Sequence, residues 1–241
     1  MQFDAKYETK RIINWIHEYF QATDFNVVIG ISGGKDSSVV VALCVEALDK
    51  DRVIGIMLPN EKQDLSDGLQ LAEHLGIEYK IINIGKTVQA YIDECEKSGL
   101  KISEVAKGNA IDAIRMATLY TVAASENALV ANTSNLSENY IGYTTKFGTS
   151  RGDFSPLEDY TVTEVKAIGR ELGLPENLIE KIPADGLSGM TDEENIGFSY
   201  DILDRYIREG VCEDSEIKVK IDMMHKNSRH KFFLPKLDRN E

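Results

Sequence analysis

The chain has 241 residues, a formal net charge of −13 and a pI of about 4.8. Its length suits one large α/β domain with a sizeable core, and its acidity argues against a nucleic-acid partner, which needs a basic face. Cys44, Cys95 and Cys212 show neither a disulfide framework nor a zinc spacing, no apolar run approaches a membrane span, and the polar N-terminus lacks a signal-peptide core, so a soluble, cytoplasmic protein is expected.

Ile12, Ile13, Trp15, Ile16, Tyr19 and Phe20 predict an amphipathic helix over residues 10–20. Residues 26–31 form an apolar, β-branched run and predict the first strand. It stops at Ser32-Gly33-Gly34, and a helix-compatible segment fills 39–48. A second strand over 53–58 ends at Pro59-Asn60. A helix over 64–75 ends at Gly76, and a third strand is expected over 78–84. A long helix over 109–127 leads to a fourth strand over 128–132. Beyond it, residues 135–155 form a glycine-rich, aromatic connection with few helix or strand signals. A helix over 163–172 is closed by Gly173-Leu174-Pro175. A second long loop over 183–195 carries Gly186, Gly189 and several acids, and helices are expected over 198–207 and 215–224. Alternating strands and helices predict an α/β, Rossmann-like, doubly wound parallel sheet with helices on both faces. Ligands in such folds bind at the carboxyl ends of the strands, near the switch point. The turn at Ser32 and the segment Thr133-Ser134-Asn135 both lie at such ends, so they should share one site.

The strand–turn–helix over residues 27–38 carries the most chemistry. Free N–H groups and the positive end of the helix dipole make an anion site, most often for phosphate. Gly33 and Gly34 permit positive φ and let an anion approach the backbone. Ser32, Ser37 and Ser38 add hydroxyl donors. Asp36 would repel phosphates unless a cation such as Mg²⁺ stands between. The kinase-type P-loop is excluded, because it needs glycine where Ile29 stands and Ser or Thr where Asp36 stands. The dinucleotide fingerprint is excluded by glycine spacing. The histidines His17, His74 and His225 read as helix or surface residues, and Cys44 as a small buried hydrophobe.

Ser32-Gly33-Gly34-Lys35-Asp36-Ser37 resembles the pyrophosphate loop of the ATP pyrophosphatases, the PP-loop superfamily, which cleave ATP between the α- and β-phosphates. Later segments narrow the choice: Thr133-Ser134-Asn135-Leu136-Ser137-Glu138, residues 142–148, Gly152-Asp153-Phe154-Ser155-Pro156-Leu157, residues 183–189, residues 191–194 and His230-Lys231. In this order and spacing they resemble the ammonia-dependent NAD synthetases over nearly the whole chain. That resemblance implies an adenine nucleotide alpha hydrolase-like fold, a single synthetase domain over residues 1–241 and no glutaminase domain. It also implies amidation of deamido-NAD with ammonia to NAD, AMP and pyrophosphate through an acyl-adenylate.

For individual residues the resemblance implies that Gly30, Ile31, Ser32, Gly33, Gly34, Lys35, Asp36 and Ser37 hold ATP, with Gln63 near adenine or ribose and Thr133 also contacting ATP. Asp36 and Glu138 would bind Mg²⁺. Lys146 and Asp153 would hold deamido-NAD, with Asp153 orienting or deprotonating the ammonia donor. His230 and Lys231 would close over the substrate, and Tyr120 would lie against an aromatic ring of it. A homodimer is implied, and the apolar faces of the helices over 10–20 and 109–127 read equally as interface or as core. Three positions depart from the family pattern. Ala113 replaces an Arg on the substrate, with Arg115 two residues on. Val162 replaces a Lys on the ATP phosphates, and Ala184 a Thr or Ser. Lys35 or Lys181 should then face the triphosphate. Two other readings share these features: another adenylating enzyme of the loop class, such as a tRNA-modifying enzyme, or a non-catalytic nucleotide-binding regulator.

Overall fold

The protein is described from a computed structural model, which places residues 3–181 and 191–233. In chain order the elements are α1 Ala5–Phe20, β1 Asn26–Gly30, α2 Lys35–Leu48, β2 Val53–Met57, α3 Ser66–Leu75, β3 Glu78–Ile81, α4 Gly85–Lys97, α5 Glu104–Ser125 and β4 Ala128–Val130. There follow α6 Leu136–Ile141, α7 Val162–Glu171, α8 Glu176–Ile179, α9 Asp192–Ile196, α10 Tyr200–Glu209 and α11 Ser215–Ser228. The strands form one parallel sheet in the order β3-β2-β1-β4. Val27 pairs with Val53 and Val28 with Val130, so β1 lies between β2 and β4. The chain leaves β1 toward β2 and β3, then returns to the other side as β4. This reversal opens a crevice between the carboxyl ends of β1 and β4.

Both faces of the sheet are covered, because the strands are apolar on both sides. On one face Val27 and Ile29 pack with Ile16, Phe20, Val40, Leu43, Ile168 and Ile179 from α1, α2, α7 and α8. On the other, Val28, Ile54 and Ile56 meet Val88, Ile92, Ile111 and Leu119 from α4 and α5. α2 is buried nearly all round, as a helix wedged between sheet and outer helices must be. A third apolar cluster, Ile141, Val162, Ile196, Phe198, Leu203 and Ile221, joins α6, α9, α10 and α11 to the start of α7. No helix among the described residues is long and apolar enough to cross a membrane.

The expected strands and most expected helices are present within a few residues. Gly76 ends α3 in the left-handed conformation, φ 65°, as its position suggested. Two segments differ. The connection over 135–155 contains α6, whose six residues are too few to show a period but are fixed by a capping box between Asn135 and Glu138. The loop expected over 183–195 gives way to α9 at Asp192, capped by Thr191, and its residues 183–190 lie outside the described residues. α4 was not anticipated. Only Gly85, Val88 and Ile92 are buried along it.

Candidate active site

The turn after β1 is built around α2. Ile31 still extends the ladder, its N–H donating to the Ile56 carbonyl at 2.8 Å. Gly33 then adopts φ 76°, and a Cβ there would stand 2.8 Å from Cβ of Asp67. Glycine is required at this point on both counts. Gly34 is the N-cap of α2 and provides no side-chain cap, unlike Asp4, Ser103, Asn135 and Thr161, which cap α1, α5, α6 and α7. The first N–H groups of α2 are therefore left for an outside acceptor. Ser32 and Ser37 brace the turn: their hydroxyls are 3.1 Å apart, Gly34 N–H donates to Ser32 Oγ at 3.2 Å, and Ser37 Oγ donates to the Gly34 carbonyl at 3.1 Å.

Asp36, on the first turn of α2, meets the element after β4. Asn135 donates from Nδ2 to Asp36 Oδ1 at 2.9 Å. Its own Oδ1 accepts the Glu138 N–H at 3.0 Å, and Glu138 Oε2 accepts the Asn135 N–H at 3.3 Å. One residue thus orients both carboxylates expected to hold a cation. Lys35, 2% exposed, donates to Asp36 Oδ2 at 2.9 Å. Burial pulls its pKa down, but Asp36 and Glu138 outweigh burial and hold the ammonium above its usual range. Glu138 is pushed up to about 8, first by burial and next by the charge of Asp36. Two neighbouring carboxylates, one of them buried, fit a hard dication. Mg²⁺ is commonly bound by one or two carboxylates and completed by phosphate oxygens and water. No cluster of three or more His, Cys, Asp or Glu arranged for a metal occurs among the described residues.

A family described as NAD synthase matches residues 8–235. The chain belongs to the NAD synthase family. A relative named NH(3)-dependent NAD(+) synthetase, from Pyrococcus furiosus, is 37% identical over 93% of this chain and 91% of its own. The NMN synthetase of Francisella tularensis superposes with a TM-score of 0.90 at 31% identity, covering 99% of this chain and 100% of that one. The NH3-dependent NAD synthetase of Campylobacter jejuni superposes with 0.81 at 28% identity, over 99% and 100% of the two chains.

The other residues expected in the NAD synthase site fall into separate groups on the carboxyl side of the sheet. Gln63 and Arg115 meet, Arg115 donating to Gln63 Oε1 at 3.4 Å and pairing with Asp112 at 3.2 Å. Asp112 also accepts from Thr145 at 2.8 Å, which ties the neighbouring Lys146 to α5. Lys146 lies 5.2 Å from the ring centroid of Phe147. Tyr120 and Asp153 meet at 3.5 Å, and Asp153 also accepts the Val130 N–H at 2.7 Å. With the bridge between Ala131 and Phe154, this segment covers the outer edge of β4. Among the described residues no hydrogen bond or ion pair joins Asp153 to Asp36 or Glu138. Thr133 follows β4, partly buried. His230 is exposed on the turn after α11, and Lys231 gives its ammonium to the carbonyls of Gly142 and Thr144, both at 2.7 Å. Lys231 thereby ties the C-terminal segment to the connection carrying Lys146.

The three departures also find their places. Ala113 is exposed on α5, and Val162 is buried in the third cluster at the start of α7. Ala184 lies outside the described residues. Lys181 pairs with Asp67, the residue packed against Gly33, so a cation does stand beside the glycine turn. Sequence reasoning missed Asn135 as the bridge, although Asn followed three residues later by Glu is a helix-start signal. It also missed Tyr200 and Asp204, which reach the site only through packing of α10.

Proposed function

We infer that the chain is an ammonia-dependent NAD synthetase, amidating deamido-NAD with ammonia and ATP to give NAD, AMP and pyrophosphate. The observation that carries this reading is the Asn135 bridge, which sets Asp36 and Glu138 together at the uncapped N-terminus of α2. A carboxylate is a poor acyl donor at neutral pH. Attack of the nicotinate carboxylate on the α-phosphorus forms the acyl–phosphate bond and breaks the bond to pyrophosphate. Ammonia then forms the amide, AMP leaves, and a proton is released. The chain's part is to position and to balance charge. The N–H groups of the turn and of α2 receive phosphate oxygens. Asp36 and Glu138 would hold Mg²⁺, which neutralises the departing pyrophosphate. Lys35 and Lys181 place positive charge beside the turn. Gln63 and Thr133 suit the rest of the nucleotide. Arg115, Tyr120, Lys146, Asp153, His230 and Lys231 suit the second substrate and the ammonia.

A homodimer belongs to this proposal. Trp15 and Tyr19 of α1 are stacked, 42% and 45% exposed, and lie against Phe154 at the β4 edge near Tyr120 of α5. This aromatic face suits a second copy, with substrate bound partly across it. A monomer at micromolar concentration in sedimentation would count against it. The requirement for ATP agrees with a cytoplasmic setting, and the reading includes a single synthetase domain over the sequence.

A second reading rests on the NMN synthetase likeness, whose TM-score of 0.90 exceeds the 0.81 of the NAD synthetase. In it the acid amidated is the nicotinate mononucleotide. One assay series separates the readings: ATP, Mg²⁺ and ammonium with deamido-NAD or with the mononucleotide, glutamine in place of ammonium, and Asp36→Ala as control. NAD from deamido-NAD with ammonium, lost in the control, is the expected result. A large kcat/KM preference for the mononucleotide would move the assignment to the second reading.

A further inference from the structure

Tyr200 opens α10 and is 3% exposed, yet its hydroxyl has no hydrogen-bond partner among the described residues. A buried, unsatisfied hydroxyl costs stability, and its retention calls for a reason. The ring provides part of one, since the Lys35 ammonium lies 5.7 Å from its centroid. The ring would do this equally well as phenylalanine. Burial, and after it the acidic surroundings, keep the hydroxyl's proton in place, so it is a donor. Asp36 takes Asn135 and Lys35, and Glu138 takes the Asn135 N–H. Tyr200 also borders a cavity of about 190 Å³ shared with Val162, Thr163, Lys166 and Glu193.

We propose that Tyr200 is a ligand-contacting residue of this site, its hydroxyl donating a hydrogen bond to a phosphate oxygen of the bound nucleotide. The acceptor that the described residues do not provide is supplied by the ligand. The inference rests on reading the turn after β1 as the ATP site.

The test is Tyr200→Phe, which keeps the ring beside Lys35 and removes only the hydroxyl. Binding of ATP with Mg²⁺ is read by calorimetry without the second substrate, and the melting temperature is read without ligand. A hydrogen bond to a charged oxygen predicts a Kd raised about tenfold or more. The ligand-free melting temperature should hold or rise, because an unsatisfied group has gone. Tyr200→Leu should weaken binding further, since Lys35 loses the ring. Two results overturn the proposal: a Tyr200→Phe Kd within about twofold of the parent, or a ligand-free melting temperature several degrees lower, which would mean that the hydroxyl serves the fold. Failure of the parent chain to bind ATP at all would remove the ATP-site reading as well, and so stands apart from both.

Discussion

Asn135 and Asp36 are 99 residues apart in sequence and 2.9 Å apart in the fold. The contact spans the crevice between β1 and β4, and it makes one helix cap serve as the orienting group for a residue on another helix. Asn135→Ala removes the cap of α6 and the donor to Asp36. It should cost about 1 kcal/mol of stability and lower kcat/KM roughly 10- to 100-fold, the range for losing an outer-shell partner of a metal ligand. Asn135→Ser separates the two effects. Serine caps well but is too short to reach Asp36, so stability should return while activity stays low. Recovery of activity with Ser would count against the bridge.

Glu138 gives a pH signature. Its carboxyl, ordinarily near 4.5, is pushed up to about 8 in the fold. Between these values the native state binds more protons than the unfolded chain, so this contribution is fully present below about 4.5 and is lost as pH rises through about 8. The melting temperature of Glu138→Gln, measured without ligand, should gain on the parent as pH rises from about 5 to 8. Mg²⁺ binding should release a proton over the same range and tighten with pH. Calorimetry in buffers of different ionisation enthalpy measures that proton. A pH-independent difference between the two proteins would contradict the shift.

Gly33 combines φ 76° with a Cβ position 2.8 Å from Asp67. Gly33→Ala meets a left-handed conformation that costs a side chain about 1–2 kcal/mol and a clash that moves α3 or the turn. Nucleotide binding should fall by more than the stability change explains, because the displaced backbone carries the phosphate donors. A titration showing parent-like ATP affinity would refute this.

Asp204 is 5% exposed and accepts from Ser137 Oγ at 2.5 Å, Thr163 N at 2.8 Å and Thr163 Oγ1 at 2.7 Å. It binds α10 to α6 and to the start of α7, and Ser137 precedes Glu138 in the chain. Asp204→Ala leaves buried donors unmatched and should cost about 2–4 kcal/mol. If Asp204 positions α6, the Mg²⁺ concentration for half-maximal rate should also rise, and Asp204→Asn, which keeps one acceptor, should partly restore it. An unchanged Mg²⁺ requirement in Asp204→Asn, with lowered stability alone, would make the role structural only.

Elements whose signals are local were legible along the chain. Glycines in a row after a β-branched strand dictate a turn with open N–H groups, because no other residue lets a backbone approach an anion so closely. Alternation of apolar runs dictated a parallel sheet covered on both faces. Asp36 and Glu138 were paired only through the resemblance to the NAD synthetases. Tertiary structure decided what depends on distance. Asn135 reads in sequence as a helix cap, and its second bond to Asp36 exists only because β4 returns beside β1. Nothing local in the sequence names a partner for Lys231, and in the fold it binds the carbonyls of Gly142 and Thr144. Tyr200 and Asp204 stand four residues apart on α10, a spacing that puts them on one helix face. Only packing against α7 and α6 brings that face to Lys35 and Ser137. Burial then sets the charge states, since removing water raises the cost of each carboxylate that lacks a cation. No spacing along the chain contains that information.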